Sequence, residues 1–171
     1  TRSDTASTAV NTSAVNTSAV NTSAAEHPQQ LFRRAAEPAY LRIHEDFQRA
    51  SERLLPLLDH LSHHLFDADL NVNRLKLACG VRDNSIVILF HAEIGQTPKA
   101  YISGRRLETA ARLLRATKLK IWQISDLVGY STLGVFSKAF DRWAGLRPQN
   151  YRAQAIARDS GRTPEPPQVF D

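Results

Sequence analysis

Three sets of side chains in this sequence could carry chemistry. The first is the segment DHLSHHLFDADL, residues 59–70. On a helix, His60 and His64, Asp59 and His63, and His63 and Asp67 are each four apart. Each pair then shares a face and could hold a divalent ion. No complete metal motif such as HExxH accompanies them. Leu57, Leu58, Leu61 and Leu65 supply the buried face, so the histidines read as solvated, and no metal or cofactor is expected. The second is Cys79, the only cysteine. It can form neither an internal disulfide nor a Cys-based zinc site. Placed before Gly80 at the end of an apolar helix, it reads as a packing residue and not a nucleophile. No GxSxG, P-loop or GxGxxG run occurs, so the chain does not read as an enzyme.

The third set is cationic. The formal charge is +5, but residues 70–158 alone hold 15 basic and 5 acidic side chains, net +10. Residues 26–69 are net −3, residues 159–171 net −2, and the first 25 neutral. A strongly basic block between neutral or acidic segments is the footprint of a polyanionic partner.

The elements that must position these groups follow from the same string. At 171 residues the chain suits one domain with tails. Its longest strongly apolar run, Ile86 to Phe90, falls well short of the roughly 20 residues of a spanning helix. No secretory signal is visible, so no membrane partner and a cytoplasmic, nucleoid-associated location are expected. The sequence has no Met, which suggests a processed or excised chain. Residues 9–24 repeat Ala-Val-Asn-Thr-Ser, and residues 1–30 read as a disordered low-complexity tail. The Asn-Thr-Ser triplets at Asn11, Asn16 and Asn21 match a glycosylation acceptor, but read as a product of the repeat. Residues 31–69 read as an N-terminal helical segment, a linker or partner helix. Pro38 suits a first helical position. Tyr40, Ile43, Phe47, Ala50 and Leu54 then form one stripe until Pro56 interrupts it, predicting helices over about 38–54 and 56–66. The stripe suits either the chain's own core or a homodimer seam through residues 38–54. Residues 158–171 read as a disordered C-terminal tail.

Residues 70–157 carry two units of the same order: short helix, Gly, large apolar plug, polar cap, second helix ending near a Phe. In the first, Val72–Cys79 leads through Gly80 and Val81 to a helix starting at Asp83, with "SIVILF" read as helix and not as strand. In the second, Ile121, Ile124, Leu127 and Val128 lead through Gly129 and Tyr130, with Ser131 or Thr132 as cap. This is the helix-turn-helix arrangement, whose second helix enters a DNA major groove. Between the units, residues 98–116 form a helix about 27–28 Å long at roughly 1.5 Å per residue. Such a spacer suits recognition helices in successive major grooves, roughly 34 Å apart.

Residues 70–152 resemble the DNA-binding domain of the AraC/XylS family of transcription regulators. The resemblance rests on Arg106, Leu107, Ala110, Leu113, Leu114, Thr117, Ile121, Ile124, Gly129, Tyr130, Ser131, Phe136, Phe140, Gly145, Pro148, Tyr151 and Arg152, in "RRLETAARLL", "ISDLVGYS" and "GLRPQNYR". It implies an all-α domain of two helix-turn-helix subdomains joined by a long linker helix, which the N-terminal helix and disordered tail read above precede. It also implies a sequence-specific regulator bound to double-stranded DNA, often an activator touching RNA polymerase. The chain departs from the family pattern at Lys76, at Val87 and Ile88, and at Leu133, Gly134 and Val135. Residues 1–37 do not suffice for the family's usual sensory domain.

Base-edge candidates are Asn84, Ser85, Val87 and Ile88 in the first unit, and Thr132, Ser137 and Lys138 in the second. Lysine can reach guanine O6 and N7, and an apolar group can meet a thymine methyl. Lys138 suits a phosphate equally. Arg82, Arg142, Arg147 and Arg152 are phosphate candidates. Arg106 reads as structural, pairing with Glu108 or a helix end. Phe90, Phe136, Phe140 and Trp143 fall at core spacings, while Trp122 faces outward, toward a partner or a partly buried site. The apolar Val87 and Ile88 also fit a competing reading, a degraded helix-turn-helix domain serving as a protein-interaction module.

Overall fold

The computed structural model describes residues 27–81 and 84–159. The N-terminal repeat and its acceptor triplets, Arg82, Asp83 and the tail from residue 160 onward lie outside the described residues. Among the described residues the secondary structure is helical: α1 Pro28–Arg49, α2 Leu55–His64, α3 Val72–Ala78, α4 Ser85–Ile94, α5 Pro98–Ala116, α6 Ile121–Leu127, α7 Leu133–Ala144 and α8 Pro148–Asp159. No helix there is long and apolar enough to cross a membrane.

The first helix corrects the expected one. It opens at Pro28 and runs through Pro38 without ending, so it reaches into the segment assigned to the tail. Pro28 takes the N-terminal position, where a missing N–H costs nothing. Pro38 is tolerated because its neighbours Ala35, Ala36 and Ala39 are buried against the rest of the chain. Packing of the alanine face outweighs one lost backbone bond. The break falls at Ala50, whose backbone is extended. Pro56 sits in the first turn of α2. At the other end α8 runs to Asp159, two residues beyond the expected limit of the domain.

The stripe on α1 is used internally. Ile43 and Leu54 are buried, and Phe47 and Ala50 pack on the same cluster. The seam expected for a homodimer through residues 38–54 is therefore covered by the chain's own core, with Tyr40 and Leu41 left exposed. The Tyr101 hydroxyl donates to Asp46 Oδ2 at 2.7 Å in the interior, fastening α1 to α5. Burial and the Asp46 carboxylate push the Tyr101 phenol well above its ordinary range, so it remains a donor.

Two apolar clusters share α5. One gathers α1 to α4 around Leu58, Leu61, Leu75 and Phe90, with Tyr101 and Ile102 from the start of α5. The other gathers Leu107, Ala110, Leu113 and Leu114 of α5 with Ile124, Val128, Phe136 and Phe140. Phe66 borders both clusters, with Phe32 edge-on to it at 5.0 Å.

The turn before α2 is held from α4. Glu93 accepts from the Ser51 amide at 2.8 Å and from its hydroxyl at 2.7 Å. These bonds hold the Glu93 carboxyl below its ordinary value of 4.5. A depressed folded-state value contributes stability that is complete above the unfolded value and is lost as pH falls through the folded one. Below about pH 4.5 the wild type should therefore lose melting temperature faster than Glu93→Gln. Parallel acid profiles for the two proteins would show that the carboxylate contributes nothing through this contact.

Candidate nucleic-acid interface

Each helix-turn-helix unit is built on one short helix, one left-handed glycine and one longer helix. In the first, α3 is capped by Asn71, whose side chain accepts from the amides of Asn73 and Arg74 at 3.0 and 3.1 Å. Gly80 follows with φ +69°, and Val81 packs on the core. In the second, α6 ends at Gly129 with φ +79°. Tyr130 packs edge-on to Phe136 at 5.4 Å. Thr132 caps α7 by accepting from the Val135 amide at 3.2 Å.

The two units correspond residue by residue at an offset of 49 to 50 positions. Gly95, Pro98 and Tyr101 recur as Gly145, Pro148 and Tyr151. Phe90 meets Tyr101 at 5.4 Å with the rings at 81°, and Phe140 meets Tyr151 at 5.3 Å and 80°. Buried Leu75, Ile86 and Phe90 stand where Ile124, Phe136 and Phe140 stand in the second unit. Val87 is therefore the counterpart of Ser137, and Ile88 that of Lys138. The doubled Gly-x-x-Pro-x-x-Tyr was a sequence signal for this correspondence that the motif reading passed over.

This register sorts the candidate readers. Lys138 is exposed on α7, with Ser137 half-buried beside it. A groove of about 410 Å³ brings both together with Leu133, Gly134 and Arg147. Leu133 and Val135 are exposed on the first turn of the same helix. On α4, Ile88 is 70% exposed, whereas Val87, half-buried like its counterpart Ser137, packs partly against the first cluster. Asn84 is the N-cap residue of α4 but makes no side-chain cap. Its Oδ1 instead accepts from Lys76 Nζ at 3.0 Å, which gives the unusual Lys76 a role. Ser85 begins α4 at the surface. Asp83, expected to cap this helix, lies outside the described residues, as does Arg82.

Two arginines hold the chain instead of facing outward. Arg106 is 6% exposed. Its Nε donates to the Leu65 carbonyl at 2.7 Å, Nη1 to Gly129 at 2.8 Å and Nη2 to Asp67 at 2.6 Å. The expected partner Glu108 pairs with Arg105 at 3.0 Å. Arg152, assigned to a phosphate from sequence, turns back to the end of α5. Its Nε donates to the Leu114 carbonyl at 3.3 Å and its Nη2 to that of Leu119 at 2.6 Å. The last carbonyls of a helix lack backbone partners, and a cation there also meets the negative end of the helix dipole. Partial burial lowers the pKa of Arg152. Arg142 and Arg147 are exposed.

The remaining chemistry-bearing groups are placed as follows. His64 Nδ1 lies 2.7 Å from Asp67 Oδ2, and its ring stacks on His60 at 4.3 Å. Among the described residues no three His, Cys, Asp or Glu side chains are arranged to hold a metal. Burial raises the Cys79 pKa, which keeps the thiol protonated. Trp122 is 51% exposed. Trp143, expected in the core, is 44% exposed and satisfies its spacing by a ring contact with Phe140 at 5.6 Å.

Comparison with known proteins agrees with this architecture. Residues 77–154 match the family model described as a helix-turn-helix domain. The transcriptional regulator AlkR of Acinetobacter baylyi is 37% identical over 84 residues, covering 49% of this chain and 28% of its own. The transcriptional activator NphR of a Rhodococcus species is 32% identical over 94 residues, covering 55% and 28%. The chain thus spans less than a third of either relative. The crystal structure of the AdpA DNA-binding domain, solved with a target DNA, shares the fold. Its TM-score is 0.58 at 22% identity, covering 64% of this chain and 98% of that one. The match thus covers a helix-turn-helix domain over residues 77–154. A Streptomyces antibioticus protein described as an AraC-like transcription regulator is 35% identical over 81 residues, 47% of this chain and 27% of its own.

Proposed function

We propose that this protein is a sequence-specific transcription regulator. It binds double-stranded DNA, setting α4 and α7 in neighbouring major grooves. The observation that carries this reading is the pair of matching units on one rigid helix. Each presents the same outward position, Ile88 or Lys138, and both lie within the net +10 segment. In this reading Lys138 and Ser137 contact base edges, while Arg142, Arg147 and Arg82 contact phosphates. Thr132 keeps its hydroxyl hydrogen for a phosphate or base beside its capping bond, and Asn84 and Ser85 serve the start of α4. Arg152 belongs to the fold and not to this set. A cytoplasmic location at the nucleoid, an activating role and a contact with RNA polymerase rest on the family resemblance.

The test is a titration of a selected duplex against random duplex of equal length. Binding to both should weaken with salt, with a log–log slope of magnitude about 4 for roughly five neutralised phosphates. Lys138→Ala should then reduce affinity for the selected duplex by roughly ten-fold, the loss of one base contact, and for random DNA by less. An equal loss on both, with the slope reduced by about 1, makes Lys138 a phosphate contact. No salt-dependent binding at all would leave the interaction-module reading in its place.

A further inference from the structure

Ile88 is the one large apolar side chain of α4 that the fold leaves in water. Ile86 and Phe90 are buried, and Val87, Leu89 and Ile94 pack against the first cluster. Nothing in folding requires a branched aliphatic at a position 70% exposed. Its counterpart in the second unit is Lys138, the proposed base reader. Ser85 lies three residues before it and His91 three after, both exposed, so the isoleucine forms a small apolar point on a polar helix face. The polar group nearest the start of α4, Asn84, has its carbonyl oxygen engaged by Lys76.

Resting on the DNA-binding reading above, we infer that Ile88 is a specificity-determining residue that reads the C5 methyl of a 5-methylpyrimidine, thymine in ordinary DNA. An aliphatic side chain neither donates nor accepts a hydrogen bond. The one feature of a major-groove base edge that it complements is that methyl group. The two units therefore read by different chemistry: hydrogen bonding by α7, methyl packing by α4. The methyl and not the base pair is what α4 detects. 5-Methylcytosine places its methyl at the same point on the pyrimidine ring, so it should substitute for thymine there.

The experiment starts from duplexes selected by the full chain from a random pool. Each thymine of the best duplex is replaced singly by deoxyuridine, which lacks only the methyl, and the dissociation constant is measured at fixed salt. One or two replacements should weaken binding about four-fold, the worth of one methylene-sized group. They should lie about one helical turn from the positions where Lys138→Ala acts. At the same place, 5-methylcytosine should bind about four-fold better than cytosine. Ile88→Ala, an exposed substitution that should leave the melting temperature unchanged, should abolish both differences. If every deoxyuridine is silent, or if the penalty persists in Ile88→Ala, the assignment is overturned while DNA binding stands. If the pool enriches no sequence, the regulator reading falls and this inference falls with it.

Discussion

Arg106→Ala should lower the melting temperature of this protein by roughly 10 °C or more, more than any surface substitution. The guanidinium is buried and makes three bonds, to the carbonyls of Leu65, Asp67 and Gly129. A hydrogen bond to a charged group contributes about 1.5–3 kcal/mol, and a buried carbonyl left without a partner costs about 1–3 kcal/mol. The three are not additive, since the segments relax together, but about 4 kcal/mol is a reasonable total. At about 2–4 °C per kcal/mol for a chain of this size, that gives the stated shift. Burial lowers the Arg106 pKa, yet an arginine stays charged throughout the accessible range. The effect should therefore be independent of pH between about 5 and 9. Arg106→Lys should recover little of it. An ammonium is a point donor, and the three carbonyls are matched to the planar fork. Thermal melts followed by circular dichroism decide the matter. A loss of only two or three degrees in Arg106→Ala would mean that water satisfies the carbonyls. The same substitution bears on function, because Arg106 ties the α2–α3 connection and α5 to the turn between α6 and α7. With it gone, α4 and α7 lose their common frame.

Much of this architecture was legible because its signals are local. Gly129 before Tyr130, Gly145 before Pro148 and the Phe136–Phe140 spacing mark turn and core within a few residues. The structure bears out the all-helical fold. The misreadings are of interactions that local spacing does not record. Arg106 reads as structural, and of its two expected partners it meets the helix end, at the Leu65 carbonyl that closes α2, while Glu108 pairs with Arg105. The carbonyls it holds lie 41, 39 and 23 residues off, where local spacing does not name them. Arg152 reads as a phosphate contact from its charge alone, and the carbonyls it meets, Leu114 in the last turn of α5 and Leu119 just beyond that helix, lie 38 and 33 residues earlier. Pro38 reads as a helix start from the preference of proline for the first turn; Pro28 takes that place instead, and the buried alanines around Pro38 offset its missing backbone bond. Val87 and Ile88 were grouped as one apolar pair. Only the helix phase set by Ile86 and Phe90 separates a packed side chain from an exposed one, and the doubled Gly-x-x-Pro-x-x-Tyr could have supplied that phase. The histidines of the 59–69 segment read as solvated partners on one helix face, and the structure stacks His60 on His64 and sets His63 beside Asp59, while Asp67 pairs with His64 and so at a spacing of three that the sequence reading did not name.

Gly129→Ala should be severely destabilising, and Gly80→Ala mild, although the two glycines hold the same place in their units. Both have positive φ, +79° and +69°, and a side chain in that conformation costs about 1–2 kcal/mol. That should be nearly the whole cost at Gly80, where an added Cβ meets nothing within 4 Å. At Gly129 the Cβ would clash with the Phe66 carbonyl oxygen and lie 2.8 Å from its carbon and 3.1 Å from Arg106 Cζ. The first two are backbone atoms at the end of α2, so no side-chain rotation relieves the clash. The α2–α3 connection or the α6–α7 turn must move, and either motion pulls on the bond from Arg106 to the Gly129 carbonyl. We expect at least 2 kcal/mol more loss at Gly129 than at Gly80, as a steric cost at a packed site. Because the same junction is involved, Gly129→Ala and Arg106→Ala should fall well short of additivity, with a coupling of about 1 kcal/mol or more. DNA affinity should follow the same order when measured below the melting transition. Gly80→Ala leaves the contact between the units untouched, whereas Gly129→Ala shifts α7 relative to α4. Equal melting temperatures for the two alanine variants would show that the junction yields freely. The spacing of α4 and α7 would then have to be set by α5 alone.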